Sequence, residues 1–118
     1  MDTVSVSMGT LKIDFRNTTV NVTPHMIEAL ERMRAALITV AQLQATTTYK
    51  ALSAATGGAY PARGFGKALD VISVDCQVRG EPSLASLIVH TGGDHEVGSG
   101  FIGDAVAERD ECYRHWVL

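Results

Sequence analysis

The stretch Thr48 to Leu69, "TYKALSAATGGAYPARGFGKAL", decides how this chain folds. Thr47 or Thr48 can cap the free amide groups of a short helix in which Tyr49, Leu52 and Ala55 form one face. Gly57-Gly58 ends that helix, because glycine reaches the left-handed backbone that a helix terminus uses without a side-chain clash. A further helix is expected from about Ala62 to Val78, with Phe65, Ala68, Leu69, Ile72 and Cys76 on its buried side and Gly80 as its stop. Arg63 and Lys67 then stand one helical turn apart, a basic edge in a chain that is acidic overall.

Upstream, Thr23-Pro24 marks a helix start, with Thr23 as the cap and Pro24 in the first turn, where its missing N–H costs nothing. Met26, Ile27, Leu30, Met33, Leu37, Val40 and Leu43 recur at three- and four-residue spacing, so a long helix with an apolar stripe is expected. Glu28, Glu31, Arg32 and Arg34 are placed largely on its other side. Before it, "VSVSM" (Val4 to Met8) and "LKIDF" (Leu11 to Phe15) alternate at period two around Gly9-Thr10 and read as a β-hairpin. A short strand from Thr19 to Val22, after the turn-like Arg16-Asn17, would extend it into a small antiparallel sheet.

Downstream, "PSLASLIVH" alternates Leu84, Ser86, Ile88 and His90 with Ala85, Leu87 and Val89, the pattern of a strand covered on both faces. The glycine-rich "TGGDHEVGSGF" reads as a hairpin or loop. Asp104 to Trp116 is a last helix, with Ala105, Val106, Arg109, Cys112, Tyr113 and Trp116 on one side, where Tyr113 and Trp116 pack against the long first helix.

These parts make one α+β domain over residues 1–118. A β-hairpin or small sheet occupies 1–22, a long helix 23–45, a winged helix-turn-helix core 46–103 and a C-terminal helix 104–118. A short helix, a glycine-bearing turn, a helix opening with arginine, then a strand and hairpin are the components of that motif.

Composition bounds the function. With 10 Lys and Arg against 13 Asp and Glu, a formal charge of −3, the chain cannot coat nucleic acid by bulk electrostatics, so any such contact needs a local patch. No window approaches the roughly 18 apolar residues of a membrane span. The start "MDTVSVSMGT" lacks the basic and apolar regions of a signal peptide, and a cytoplasmic protein without membrane contact is expected. Cys76 and Cys112 have no C-x-x-C spacing, so buried, reduced thiols are expected and not a disulfide framework or a zinc site.

The run from Thr48 to Leu69, followed by "PSLASLIVHTGG" and "GSGF", resembles the C-terminal DNA-binding domain of the alkylguanine-DNA alkyltransferases and the alkyltransferase-like proteins. Tyr49 and Leu52 match the family's first element, Thr/Ser-Tyr-Gly-x-Leu-Ala. Ala62, Arg63, Gly66 and Ala68 match its second, Ala-Arg-Ala-Val-Gly-x-Ala. The resemblance covers roughly Thr47 to Phe101. It implies that Arg63 enters the groove or base stack from the helix start and that Tyr49 contacts the DNA backbone. Independently of any family, exposed amide groups and a guanidinium at one helix start attract phosphate, and Lys67 adds a contact one turn on. Where the family carries Pro-Cys-His-Arg, this chain reads Ile88-Val89-His90-Thr91. A valine cannot perform the thiolate displacement, so alkyl transfer is excluded at that position. More loosely, Thr48 to Trp116 is also similar to small phage- and defence-associated proteins of undefined function.

Rival chemistries are weaker. Gly64 and Gly66 lack the preceding strand and the third glycine of a nucleotide-binding loop. His90, Asp94, His95 and Glu96 resemble a metal-ligand run, but a polar hairpin tip is more simply a solvated wing, so no metal and no cofactor are expected and a metal-dependent hydrolase rests on that loop alone. No Ser-His-Asp arrangement is evident. The expectation is therefore a non-catalytic, DNA-binding winged-helix protein that contacts double-stranded DNA through Tyr49, Lys50, Arg63 and Lys67, with Thr91 to Gly98 as a wing. The alternative is a protein-interaction module on the same fold, such as a small phage-encoded inhibitor or an antitoxin-like factor. An exposed strand in the N-terminal hairpin would favour a homodimer by edge pairing.

Overall fold

Thr23 caps the long helix α1 (Pro24–Gln42): its hydroxyl accepts the Met26 N–H at 3.1 Å, and Pro24 occupies the first turn. The far end closes without glycine. Gln44 takes the left-handed conformation (φ 53°), its N–H reaches the Ala41 carbonyl at 2.9 Å, and the Ala45 N–H reaches that of Val40 at 3.0 Å. This pair of bonds satisfies the last carbonyls of the helix. The computed structural model describes residues 9–57, 65–89 and 104–118. Val4 to Met8, expected as a strand, lies outside them.

The described chain is α+β. A two-stranded antiparallel hairpin, β1 (Gly9–Ile13) and β2 (Thr18–Val22), precedes α1, α2 (Tyr49–Ala55), α3 (Phe65–Arg79) and α4 (Ala105–His115). Gly9 and Thr10 are not the hairpin turn. They lie in β1 opposite Val22 and Asn21, and the reversal is made by a 3-10 turn over Asp14–Arg16. Asn17 completes that turn at φ 52°, donating its N–H to the Asp14 carbonyl at 3.1 Å, a conformation asparagine tolerates better than most residues. The strand expected from Thr19 begins one residue earlier, and Ile13, Val20 and Val22 share the buried face of the hairpin.

The stripe of α1 faces a core built from Leu30, Met33, Leu37 and Ala41 of α1, Leu52 of α2, Ala68, Val71 and Ile72 of α3, and Leu84 and Leu87. Leu43, placed in that stripe from its spacing, is mostly exposed beyond the helix end. Arg34 departs further from expectation. It lies not on the outer side of α1 but in the core, with 1 % of its surface exposed. Its Nη1 and Nη2 donate to the two Glu81 oxygens at 2.9 and 3.2 Å, and Asp75 lies 3.5 Å from Nη1. The guanidinium carbon sits 5.4 Å from the centroid of the Trp116 ring, so four parts of the chain meet on one charge. A buried guanidinium is tolerable when carboxylates take its protons' hydrogen bonds, and the planar fork suits the bidentate contact.

Glu81 reaches Arg34 because α3 stops at Arg79, two residues earlier. Gly80 is left-handed (φ 69°), its N–H bonds to the Gln77 carbonyl and the Glu81 N–H to that of Cys76 at 2.9 Å. The glycine stop read from the sequence therefore also sets the position of a core carboxylate.

Of the strand expected over Leu84 to His90, the described residues instead form a 3-10 turn, Leu84–Leu87, followed by a single parallel bridge between Ile88 and Thr47, and His90 lies outside them. Thr47 donates to the Leu87 carbonyl and accepts from the Val89 N–H, both at 2.8 Å. Side chains three apart eclipse in a 3-10 turn, so Leu84 and Leu87 both point inward, and the turn packs on α1, α3 and α4 together. In α4, Asp104 caps the first turn through Ala107, Cys112 is fully buried and Tyr113 donates its hydroxyl to the Ala45 carbonyl at 2.7 Å. Val106, expected on the buried side, is exposed. Trp116 does pack over the first helix, through Arg34.

Candidate nucleic-acid interface

Thr48 starts α2 by accepting the Ala51 N–H at 3.2 Å, which sets Tyr49 and Lys50 in the first turn. Leu52 alone anchors this seven-residue helix in the core. Tyr49 is 43 % exposed and Ala55 is also exposed, so the face expected from their spacing is buried at Leu52 only. Lys50 is exposed beside Tyr49. At the other end, Thr56 closes the helix with its hydroxyl on the Ser53 carbonyl at 2.7 Å, and Gly57 turns the chain at φ 71°. Arg32 of α1 donates to the Thr56 carbonyl at 3.3 Å, fixing the exit of α2 to the long helix.

On α3, Ala68, Leu69, Val71 and Ile72 face the core while Gly66 and Lys67 are exposed. Neither α2 nor α3 carries an acidic residue in its first turn. The two carboxylates further along α3 are engaged elsewhere: Asp70 by Arg16 at 3.1 Å, Asp75 by Arg79 at 3.3 Å and by the buried Arg34. Lys67 has no ion-pair partner among the described residues. Three of the four expected contact residues, Tyr49, Lys50 and Lys67, are thus placed on exposed helix starts. Arg63, the fourth, lies outside the described residues, as do the expected wing from Thr91 to Gly98 and the His90, Asp94, His95 and Glu96 run.

The described residues also bear on thiol chemistry. Burial pushes the Cys76 thiol up to about 12 and the Cys112 thiol up to about 11. Cys112 donates to the Ser83 carbonyl at 3.3 Å, inside a turn braced by the Ser83 N–H on Glu108 at 2.7 Å and by Arg109 on the Ser86 carbonyl. At pH 8 both thiols stay protonated. Iodoacetamide is therefore expected to leave the folded protein unmodified and to label both cysteines once denaturant is added, as read by mass spectrometry. Rapid labelling of the folded chain at pH 8 would contradict these burials. Among the described residues no group of three or more His, Cys, Asp or Glu side chains is arranged to hold a metal ion, and no helix is long and apolar enough to cross a membrane.

Arg34 and Arg16 were not assigned partners from the sequence. Arg34 left a signal: it stands four residues from both Leu30 and Ile38, on the flank of the apolar stripe, and Asp75 stands four residues after Val71 and three after Ile72, on the buried side of α3. The Arg16–Asp70 pair spans 54 positions, and no local spacing reveals it.

No protein-family model, curated protein or solved structure matches the chain.

Proposed function

We propose that this chain is a non-catalytic DNA-binding protein of winged helix-turn-helix type, reading duplex DNA through the starts of α2 and α3. The observation that carries the reading is the charge arrangement. Tyr49, Lys50 and Lys67 are exposed on helix starts free of carboxylates, while the acidic residues of α3 are bound by arginines. A chain of net charge −3 binds phosphate only where such a local patch survives. The resemblance of Thr47 to Phe101 to the alkyltransferase DNA-binding domain supports the same surface and adds Arg63 as the groove-entering residue. The valine at position 89 fits binding without alkyl transfer.

The reading predicts that Arg63→Ala weakens duplex binding by ~1–3 kcal/mol, and that Lys67→Ala lowers the magnitude of the salt slope by about one. Fluorescence anisotropy at several salt concentrations measures both. Unchanged affinity and slope in both variants would move the contact surface away from α3.

The protein-interaction reading is favoured by one observation, the apolar side chains of Leu43 and Val78 that stand in solvent. A DNA-independent complex abolished by charged substitutions at these two positions would support it.

A further inference from the structure

We propose that Arg16 is a positioning residue for the α3 surface: by holding Asp70 it keeps Lys67 available to a DNA phosphate. The inference rests on the DNA-binding reading and assigns a function to a residue of the hairpin turn, far in sequence from the helix pair.

Arg16 ends the 3-10 turn between β1 and β2, and its Nε donates to both oxygens of Asp70 at 3.1 and 3.2 Å. The Asp70 side chain keeps only 15 % of its surface in solvent and that of Arg16 32 %, so the pair is screened less than a surface contact. The Phe15 ring supports the guanidinium, whose carbon lies 5.4 Å from the ring centroid. Lys67 precedes Asp70 by three positions on α3, and side chains so spaced on a helix are neighbours. Without Arg16, Asp70 has Lys67 as the cation within reach on its own helix. The carboxylate would then draw the ammonium group to itself and set a negative charge beside the phosphate that Lys67 would otherwise meet. Arg16 prevents both, from a part of the fold that need not touch DNA.

The test uses the full chain and a short duplex of mixed sequence, with anisotropy titrations over a series of salt concentrations. Arg16→Gln is expected to weaken binding roughly three- to tenfold and to lower the magnitude of the salt slope by about one, as the loss of one phosphate contact does. Adding Asp70→Asn is expected to restore both. Lys12→Gln on β1 removes the same charge from a side chain that pairs with Asp14 and not with Asp70, and is expected to change affinity less than twofold, which separates the Asp70 effect from net charge. Asp70→Asn alone tests the idea even if Arg16→Gln loosens the hairpin: it is expected to bind at least as tightly as wild type. Wild-type affinity in Arg16→Gln, a loss that Asp70→Asn does not restore, an equal loss in Lys12→Gln, or weaker binding by Asp70→Asn alone would each overturn the inference while leaving DNA binding in place. Absence of wild-type binding at low salt would instead sink the DNA reading, and this inference with it.

Discussion

Arg34→Ala is expected to destabilise the protein by about 3–5 kcal/mol, the cost of breaking a buried ion pair by removing one partner. The alanine leaves Asp75, itself 1 % exposed, with Arg79 as its remaining guanidinium, and it leaves the buried side of the cluster, Glu81 above all, without its bidentate donor. It also opens space beside Trp116. Chemical denaturation followed by tryptophan fluorescence suits the measurement, because the single tryptophan lies against the site. Replacing Arg34, Asp75 and Glu81 together with apolar residues of similar volume should cost far less, since the expense lies in the unpaired charge and not in the absence of the pair. A loss below about 1 kcal/mol in Arg34→Ala would mean that the carboxylates are solvated and that the cluster is not a core element.

Leu87→Ala is expected to cost about 2–5 kcal/mol, the range for truncating a fully buried leucine whose surroundings relax only partly. The position is demanding because the Leu84–Leu87 turn packs on three helices at once and its last carbonyl holds Thr47, the residue that leads into α2. A cavity there loosens the entry to α2 as well as the core, so DNA affinity should fall along with stability. Leu43→Ala, on an exposed side chain just beyond α1, serves as the control and should fall within about 0.5 kcal/mol of wild type. Equal effects at the two positions would contradict the packing described.

What was legible in the sequence follows from which signals are local. Thr23-Pro24, Thr48 and Gly80 act within one helical turn, and each cap or stop falls where its chemistry places it. The strand read at Leu84 to His90 failed because alternation over a few residues does not distinguish a strand from a 3-10 turn. Leu84 and Leu87, three apart, were the discriminating spacing. Arg34 defies its residue type, because charge ordinarily marks solvent, yet its position on the flank of the α1 stripe and that of Asp75 on the buried side of α3 together bury a pair of opposite sign. The Arg16–Asp70 contact depends on how the hairpin docks, a tertiary fact with no local trace. Of the candidate interface, Lys50 and Lys67 are exposed, while Tyr49, which shares a face with the buried Leu52 by spacing, is exposed because only Leu52 of that face reaches the core. The pairing of the α3 carboxylates, Asp70 with Arg16 and Asp75 with Arg34, is likewise tertiary, whereas Asp75 and Arg79 pair within the one helix.

The central claim is that a net-acidic chain presents a local surface for DNA phosphate. Its most direct test is the affinity of the wild-type protein for a short duplex as salt is raised. The account predicts measurable binding at low salt that weakens steadily, with log affinity falling linearly against log salt at a slope of about −2 to −4, as for a few phosphate contacts. Absence of binding at low salt, or binding indifferent to salt, would contradict it.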